Sequence, residues 1–269
     1  MEKTMWIFYL FLAIIILVII YSLFEKIWIR IKTYYISINK PAFHGFKIVF
    51  ISDLHHSEFV SKRYLQKVIK IINSLKPDIV LLGGDYISTK EKYIAKVFNL
   101  LKDLQAQFGV YGVIGNHDFE VSKEKVLEEM KKAGIISLDN ESYWITYNNE
   151  RIKLGGVADF MCDAPLVDKT VHDVSEDDYV ILISHNPDFA EIAKEHHVDL
   201  MLSGHTHGGQ ITVFGLYAPV IPSLYKQKYR SGLIEHERLK VIVSHGVGVV
   251  GVPFRFCARP EITVIEFTN

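Results

Sequence analysis

The hydrophobic pattern divides the chain into an apolar opening and a long alternating body. From Thr4 to Phe24 no position is charged, and Met5 to Tyr21 shows none of the polar stripe that a surface helix keeps. A helix of about 21 residues reaches roughly 31 Å, the thickness of a bilayer core. The run is longer than the apolar region of a secretory signal. It ends Tyr21-Ser22-Leu23-Phe24-Glu25, with no small-residue cleavage pattern. The pattern therefore predicts one uncleaved membrane span. Residues 1–29 read as anchor and juxtamembrane segment, and 30–269 as one domain.

The body reads as short apolar runs that stop at polar motifs. Lys47 to Ser52, Ile79 to Leu82, Val110 to Ile114, Tyr179 to Ser184, Leu200 to Ser203, Lys240 to Ser244 and Ile262 to Phe267 have the length and β-branched content of buried strands. Arg30 to Ile38 alternates and predicts an edge strand. Tyr143 to Thr146 and Arg151 to Val157 flank Asn148-Asn149, a hairpin signal. Helical spacing marks Ser61 to Leu75, with Ser61 as N-cap and Leu65, Val68, Ile69 and Ile72 on one face. Tyr93 to Leu104 and Ser122 to Ala133 follow the same period, and Gly134 closes the last. Strand–helix alternation early and hairpins late predict an α/β sandwich with mixed sheets.

Composition sharpens this division. The 49% hydrophobic content averages an anchor with an ordinary globular body. The net charge of -1 gives no expectation of nucleic-acid binding. Without the first 40 residues the balance is near -4 (25 basic against 29 acidic), so any phosphate site must be local. Lys26, Arg30 and Lys32 follow the span, and Lys3 with the amino terminus precedes it. By the positive-inside rule this puts a single-pass protein's domain on the cytoplasmic side of the cell membrane. Two cysteines exclude a disulfide scaffold and a Cys₄ zinc site.

The chemistry gathers where the strands end. Asp53 and His55, Asp85, Asn116, His185, and His205 with His207 each follow an apolar run. In open α/β sheets, sites form beyond the carboxyl ends of strands. Carboxylate, imidazole and amide groups without a thiolate suit borderline to hard divalent ions such as Mn²⁺, Fe²⁺ or Zn²⁺. Seven such groups exceed one tetrahedral site and suffice for two ions that share a carboxylate. Two dications against two aspartates leave positive charge to attract a phosphate. Each motif alone is commonplace; their joint occurrence in this order is not.

The series Asp53-Leu54-His55, Gly84-Asp85, Gly115-Asn116-His117-Asp118, His185 and Gly204-His205-Thr206-His207 resembles the calcineurin-like metallophosphoesterase superfamily. The apolar opening and the ending Val252-Pro253-Phe254-Arg255-Phe256, then Arg259-Pro260-Glu261-Ile262, are similar to its bacterial membrane-associated YkuE-type branch. The resemblance implies a four-layer αββα sandwich. It also implies a first metal held by Asp53, His55, Asp85 and His207, and a second held by Asp85, Asn116, His185 and His205. His117 would be the general acid, with Asp118 a candidate to orient it. In serine/threonine protein phosphatases an Asp three residues after the bridging Asp pairs with that histidine. Here that position is Ser88, followed by Thr89 where those enzymes have Arg, so the partner of His117 stays open.

The reading is a membrane-anchored hydrolase of phosphate esters or pyrophosphates that uses a two-metal-activated hydroxide. Its substrate would be a phosphorylated small molecule or, given the anchor, a lipid-linked phosphate. A phosphodiesterase for soluble or cyclic nucleotides is the alternative. A non-catalytic scaffold on the same fold should have lost ligands, and no expected ligand is missing. His44, His56, His172, His196, His197, His236 and His245 match no expected ligand. His245 and the arginines 255 and 259 remain open as neighbours of the site.

Overall fold

The computed structural model describes residues 2–269, so residue 1 of the 1–29 segment lies outside it. Helix α1 (Glu2–Glu25) is apolar almost throughout, and its outer turns stand free of the body. It is long and apolar enough to cross a membrane. Its last turn packs against the domain: Ser22 and Glu25 are buried, and Tyr21 meets Phe256 edge-on at 5.7 Å.

Two six-stranded mixed sheets follow. The first runs β1 (Arg30–Ser37), β12 (Glu261–Thr268), β2 (Lys47–Ile51), β3 (Ile79–Leu82), β4 (Val110–Gly112), β5 (Ile135–Ser137). The second runs β10 (Gly232–Glu235), β11 (Lys240–Val243), β9 (Leu200–Ser203), β8 (Tyr179–Ile183), β7 (Glu150–Gly156), β6 (Ser142–Tyr147). β2 to β5 are mutually parallel, as are β11, β9, β8 and β7. The expected edge strand is β1, paired in parallel with β12, and the expected hairpin is β6–β7.

Strand periodicity explains the layers. Successive side chains point to opposite faces, so a strand covered on both faces is apolar at every position. Ile48 and Phe50 of β2 join Ile79 and Leu81 of β3 in a core shared with Ile181, Ile183, Leu200 and Leu202 of the other sheet. Their alternates Val49, Ile51, Val80 and Leu82 face α2 (Lys62–Ser74), α3 (Ile94–Leu101) and α4 (Asn116–Lys132). Val180, Leu182 and Met201 form a third core with Phe189 and Ala190. Three cores between four layers make the αββα sandwich. Each fully buried Leu or Ile contributes about 1.5–3 kcal/mol.

Helix α2 is capped as expected, with Ser61 Oγ accepting from Tyr64 N at 3.3 Å. Helix α4 differs from expectation. It starts at Asn116, and Ser122 is extended at φ -177°, so a short helical turn over 116–121 precedes the expected helix. That first turn has little apolar periodicity, because its side chains serve the strand ends rather than a core.

Candidate metal centre

Five strands from both sheets deliver the polar residues to one place. β2 is followed by Asp53 and His55, β3 by Asp85, β4 by Asn116 and His117, β8 by His185, and β9 by His205 and His207. Backbone strain concentrates there. Asp53, His55, Asp85, His205 and His207 all have positive φ, between 45° and 68°. Such non-glycine residues cost of order 1–3 kcal/mol each and persist where surrounding contacts over-determine them. Those contacts are visible: Asp53 N donates to Gly84 O at 2.9 Å, and His55 N donates to Asp85 O at 3.0 Å. His205 N donates to both Asp53 carboxylate oxygens, at 3.0 and 3.1 Å.

The side chains converge tightly. His55 Nε2 lies 3.0 Å from His207 Nε2 and 3.4 Å from Asp85 Oδ2. His207 Nε2 lies 3.4 Å from Asp53 Oδ1, and His185 Nε2 lies 3.3 Å from Asp85 Oδ2. His205 Nδ1 is 3.2 Å from His185 Nε2. Three overlapping groups have the spacing to hold an ion: Asp53–His55–His207, Asp53–Asp85–His185 and His55–Asp85–His117. Asp53, His55, Asp85, His185, His205 and His207 are all buried, and Asn116 Oδ1 and His205 Nε2 are buried atoms without a partner among the described residues.

Burial sets the electrostatics of the cluster. Burial pushes His55 and His205 down to about 3 and His207 well below the usual histidine range, so these rings are neutral lone-pair donors. Burial, then the Asp85 charge, pushes Asp53 up to about 6, against the pull of His185. Burial also opposes charge on His185, but the Asp85 and Asp53 carboxylates outweigh it and raise that imidazole well above its ordinary value. Neutral imidazoles, two carboxylates and an unpaired amide oxygen fit two divalent ions.

Ring orientation follows from the second nitrogen. His185 Nδ1 donates to Gly83 O at 2.7 Å, which leaves Nε2 facing Asp85. His117 Nδ1 is 2.9 Å from Ser88 O. A carbonyl only accepts, so Nδ1 carries the proton and Nε2 is the reactive nitrogen. Asp118 does not play the orienting part expected of it. Its carboxylate accepts from Tyr86 N at 2.9 Å, Gly115 N at 3.1 Å and Ile87 N at 3.3 Å, away from the imidazole. The reason is local geometry: Asp118 is the third residue of α4, where a carboxylate caps the helix start. It holds the 86–88 strip whose carbonyl holds His117.

The glycines of the motifs are spacing devices. A Cβ on Gly115 would collide with the Asp85 carboxylate, and one on Gly204 with Asp53 and Ser52. Gly115→Ala is expected to weaken metal affinity about 10–100-fold, the usual effect of misplacing a ligand's support. Metal titration followed by calorimetry measures it. Since Gly115 has an ordinary φ of -103°, unchanged affinity would show that this contact does not place Asp85.

Two residues left open by the sequence find defined places. Arg255 is wholly buried, and its guanidinium donates to the carbonyls of His207, His245, Gly246, Gly248 and Ala258. Burial lowers it to about 10, so it stays charged at neutral pH. It ties together the two loops behind Asp53 and His207. His245 packs its ring over Gly208 and meets Arg30 Nη2 at 3.0 Å. Beside the cluster a cavity of about 560 Å³ opens, with Asn116, His117 and His205 on one wall and Ile211, Pro219, Val220 and Val252 on another.

A model of the calcineurin-like phosphoesterase family matches residues 46–209, a span that carries every candidate ligand. The chain belongs to the calcineurin-like phosphoesterase family. It is similar to the uncharacterized metallophosphoesterase YkuE of Bacillus subtilis, at 35% identity over 87% of this chain and 82% of that protein. It is also similar to the phosphodiesterase YaeI of Escherichia coli, at 32% identity over 90% of this chain and 89% of that one. A transmembrane protein with a metallophosphoesterase domain from Danio rerio is 30% identical over 82% of this chain, which spans 53% of it. As a calcineurin-like phosphoesterase the chain is a metal-dependent hydrolase of phosphate esters.

Proposed function

We propose that this chain is a membrane-anchored, dinuclear phosphoesterase acting on a phosphodiester or pyrophosphate of a lipid-linked substrate. Residues 1–29 form the anchor and juxtamembrane segment, and 30–269 the catalytic domain, on the cytoplasmic side by charge bias. The observation that carries the reading is the convergence of the seven ligand candidates and His117 beside a cavity with an apolar wall. The apolar wall favours a substrate with a hydrocarbon part over a soluble nucleotide.

Asp53, His55 and His207 would hold one ion, Asn116, His185 and His205 the other, and Asp85 both. Two divalent ions, Mn²⁺ by preference, would supply Lewis-acid charge and lower the pKa of the attacking water. His117 protonates the departing oxygen from Nε2, while Ser88 O holds its Nδ1–H and so fixes the tautomer left after transfer. The burial of the ligand side chains keeps bulk water from screening charge on the phosphoryl oxygens.

The test compares an aryl phosphate monoester, an aryl phosphodiester and a lipid pyrophosphate, using the full chain in detergent after metal reloading. Cleavage of the lipid pyrophosphate that a chelator abolishes and Mn²⁺ restores is the expected result. Chelator-insensitive hydrolysis overturns the mechanism, and activity confined to soluble diesters overturns the lipid assignment.

A further inference from the structure

The segment from Ile211 to Tyr225 contains no charged residue. It forms an ordered loop between β9 and β10 whose large side chains face outward. Phe214 is 80% exposed, Leu216 83%, and Val220 and Leu224 78% each. The loop is held by polar contacts rather than by a core. Thr212 N donates to Phe256 O at 2.9 Å, Gly215 N to Thr212 Oγ1 at 3.0 Å, and Arg230 Nη2 to Gly215 O at 2.9 Å. Phe214 has a φ of 53°, a strained conformation that holds the chain while its ring points into solvent. A soluble protein rarely exposes so much contiguous apolar surface unless something covers it.

Its position indicates what covers it. Ile211 is bridged to Phe256, and the Phe256 ring packs on Tyr21 at the inner end of α1. Arg255 N donates to Ser22 O at 3.2 Å. The apolar loop is therefore continuous with the place where the apolar helix enters the domain. Exposed Trp28 lies just past the helix, and half-buried Lys26 and exposed Lys226 flank it and the loop, the residue types found at a headgroup boundary. Ile211 and Val220 also line the cavity beside the ligand cluster.

We infer that the loop over 211–225 lies in the interface of the same bilayer that α1 spans, opening the cavity at the membrane surface so that a lipid substrate reaches the cluster without leaving the bilayer. This rests on the anchor reading above. Its test separates the two. The full chain, with Cys162→Ser and Cys257→Ser, receives a fluorophore at Leu216→Cys and is placed in nanodiscs of phosphatidylcholine and phosphatidylglycerol. Ile14→Cys in α1 and Lys131→Cys on the exposed part of α4 serve as references, with Phe214→Cys as a second loop site and bound-metal content as the check on folding. Nitroxide lipids are expected to quench the loop labels about twofold or more beyond the Lys131 label, as for side chains ~5–10 Å into the headgroup boundary. Aqueous iodide should reach only the Lys131 label. Quenching at Ile14 with iodide-accessible loop labels overturns the loop's placement and leaves the anchor standing. Loop labels shielded from both quenchers assign the surface to a protein partner and equally overturn it. No lipid quenching at Ile14 overturns the anchor and this inference together.

Discussion

Asp85→Asn is expected to yield a folded chain that holds metal poorly and hydrolyses phosphodiesters at least ~10²-fold more slowly, the loss typical of one preorganised electrostatic contact. The substitution is nearly isosteric. The amide oxygen still accepts from His117 N, as Asp85 Oδ1 does at 3.0 Å, so the start of α4 keeps its place. One negative charge is lost at the carboxylate that lies within 3.4 Å of both His55 and His185. Asp53, the remaining carboxylate among the proposed ligands, then faces the charge of two dications alone. Metal stoichiometry and turnover, measured on the same sample, should fall together. Normal turnover at limiting metal would remove Asp85 from the bridging position.

His117→Ala should separate those two quantities. Metal content stays at the wild-type level, because the seven other residues remain, while kcat falls about 10²–10⁴-fold, the range for loss of a general acid. The loss depends on the leaving group. A 4-nitrophenolate departs without help and should show the small end of the range; an alkoxide needs the proton and should show the large end. Equal losses for both would mean that His117 only binds or positions substrate. The companion Asp118→Asn is expected to act on folding of the 86–88 strip, since its carboxylate touches three backbone amides and not the imidazole.

Much of this arrangement was legible in the residues. Strands buried on both faces are apolar throughout, so β2, β3, β8 and β9 announce themselves, and each stops at a polar motif for the same physical reason: the sheet ends there. The first turn of α4 was illegible because its residues answer to ligand geometry rather than to helical period. The partner of His117 was hidden for a different reason. It is a main-chain carbonyl, and any residue at position 88 offers one. Arg255 carried a signal that could have been read: it is a lone charge within the otherwise uncharged stretch from His245 to Ala258. A solitary cation in apolar sequence has to be paired or hydrogen-bonded once buried. Here its partners are carbonyls, which leave no mark in the sequence.

The junction between α1 and the domain has a mechanical consequence. The Glu25 carboxylate accepts from Cys257 N at 2.8 Å and Ala258 N at 2.7 Å. The guanidinium of Arg259 holds the carbonyls of Trp28 and Ile29, and Arg30 pairs with buried Glu261. These contacts meet the helix at its inner end and the following turn on several sides, so the connection resists both bending and rotation. It behaves as a bracket and not as a leash. A leash would let the domain sample every orientation and contribute only proximity. A bracket sets one pose, so the angle of the helix and the direction in which the cavity opens are a single degree of freedom. Fragments cut after this junction lose a built part of the scaffold.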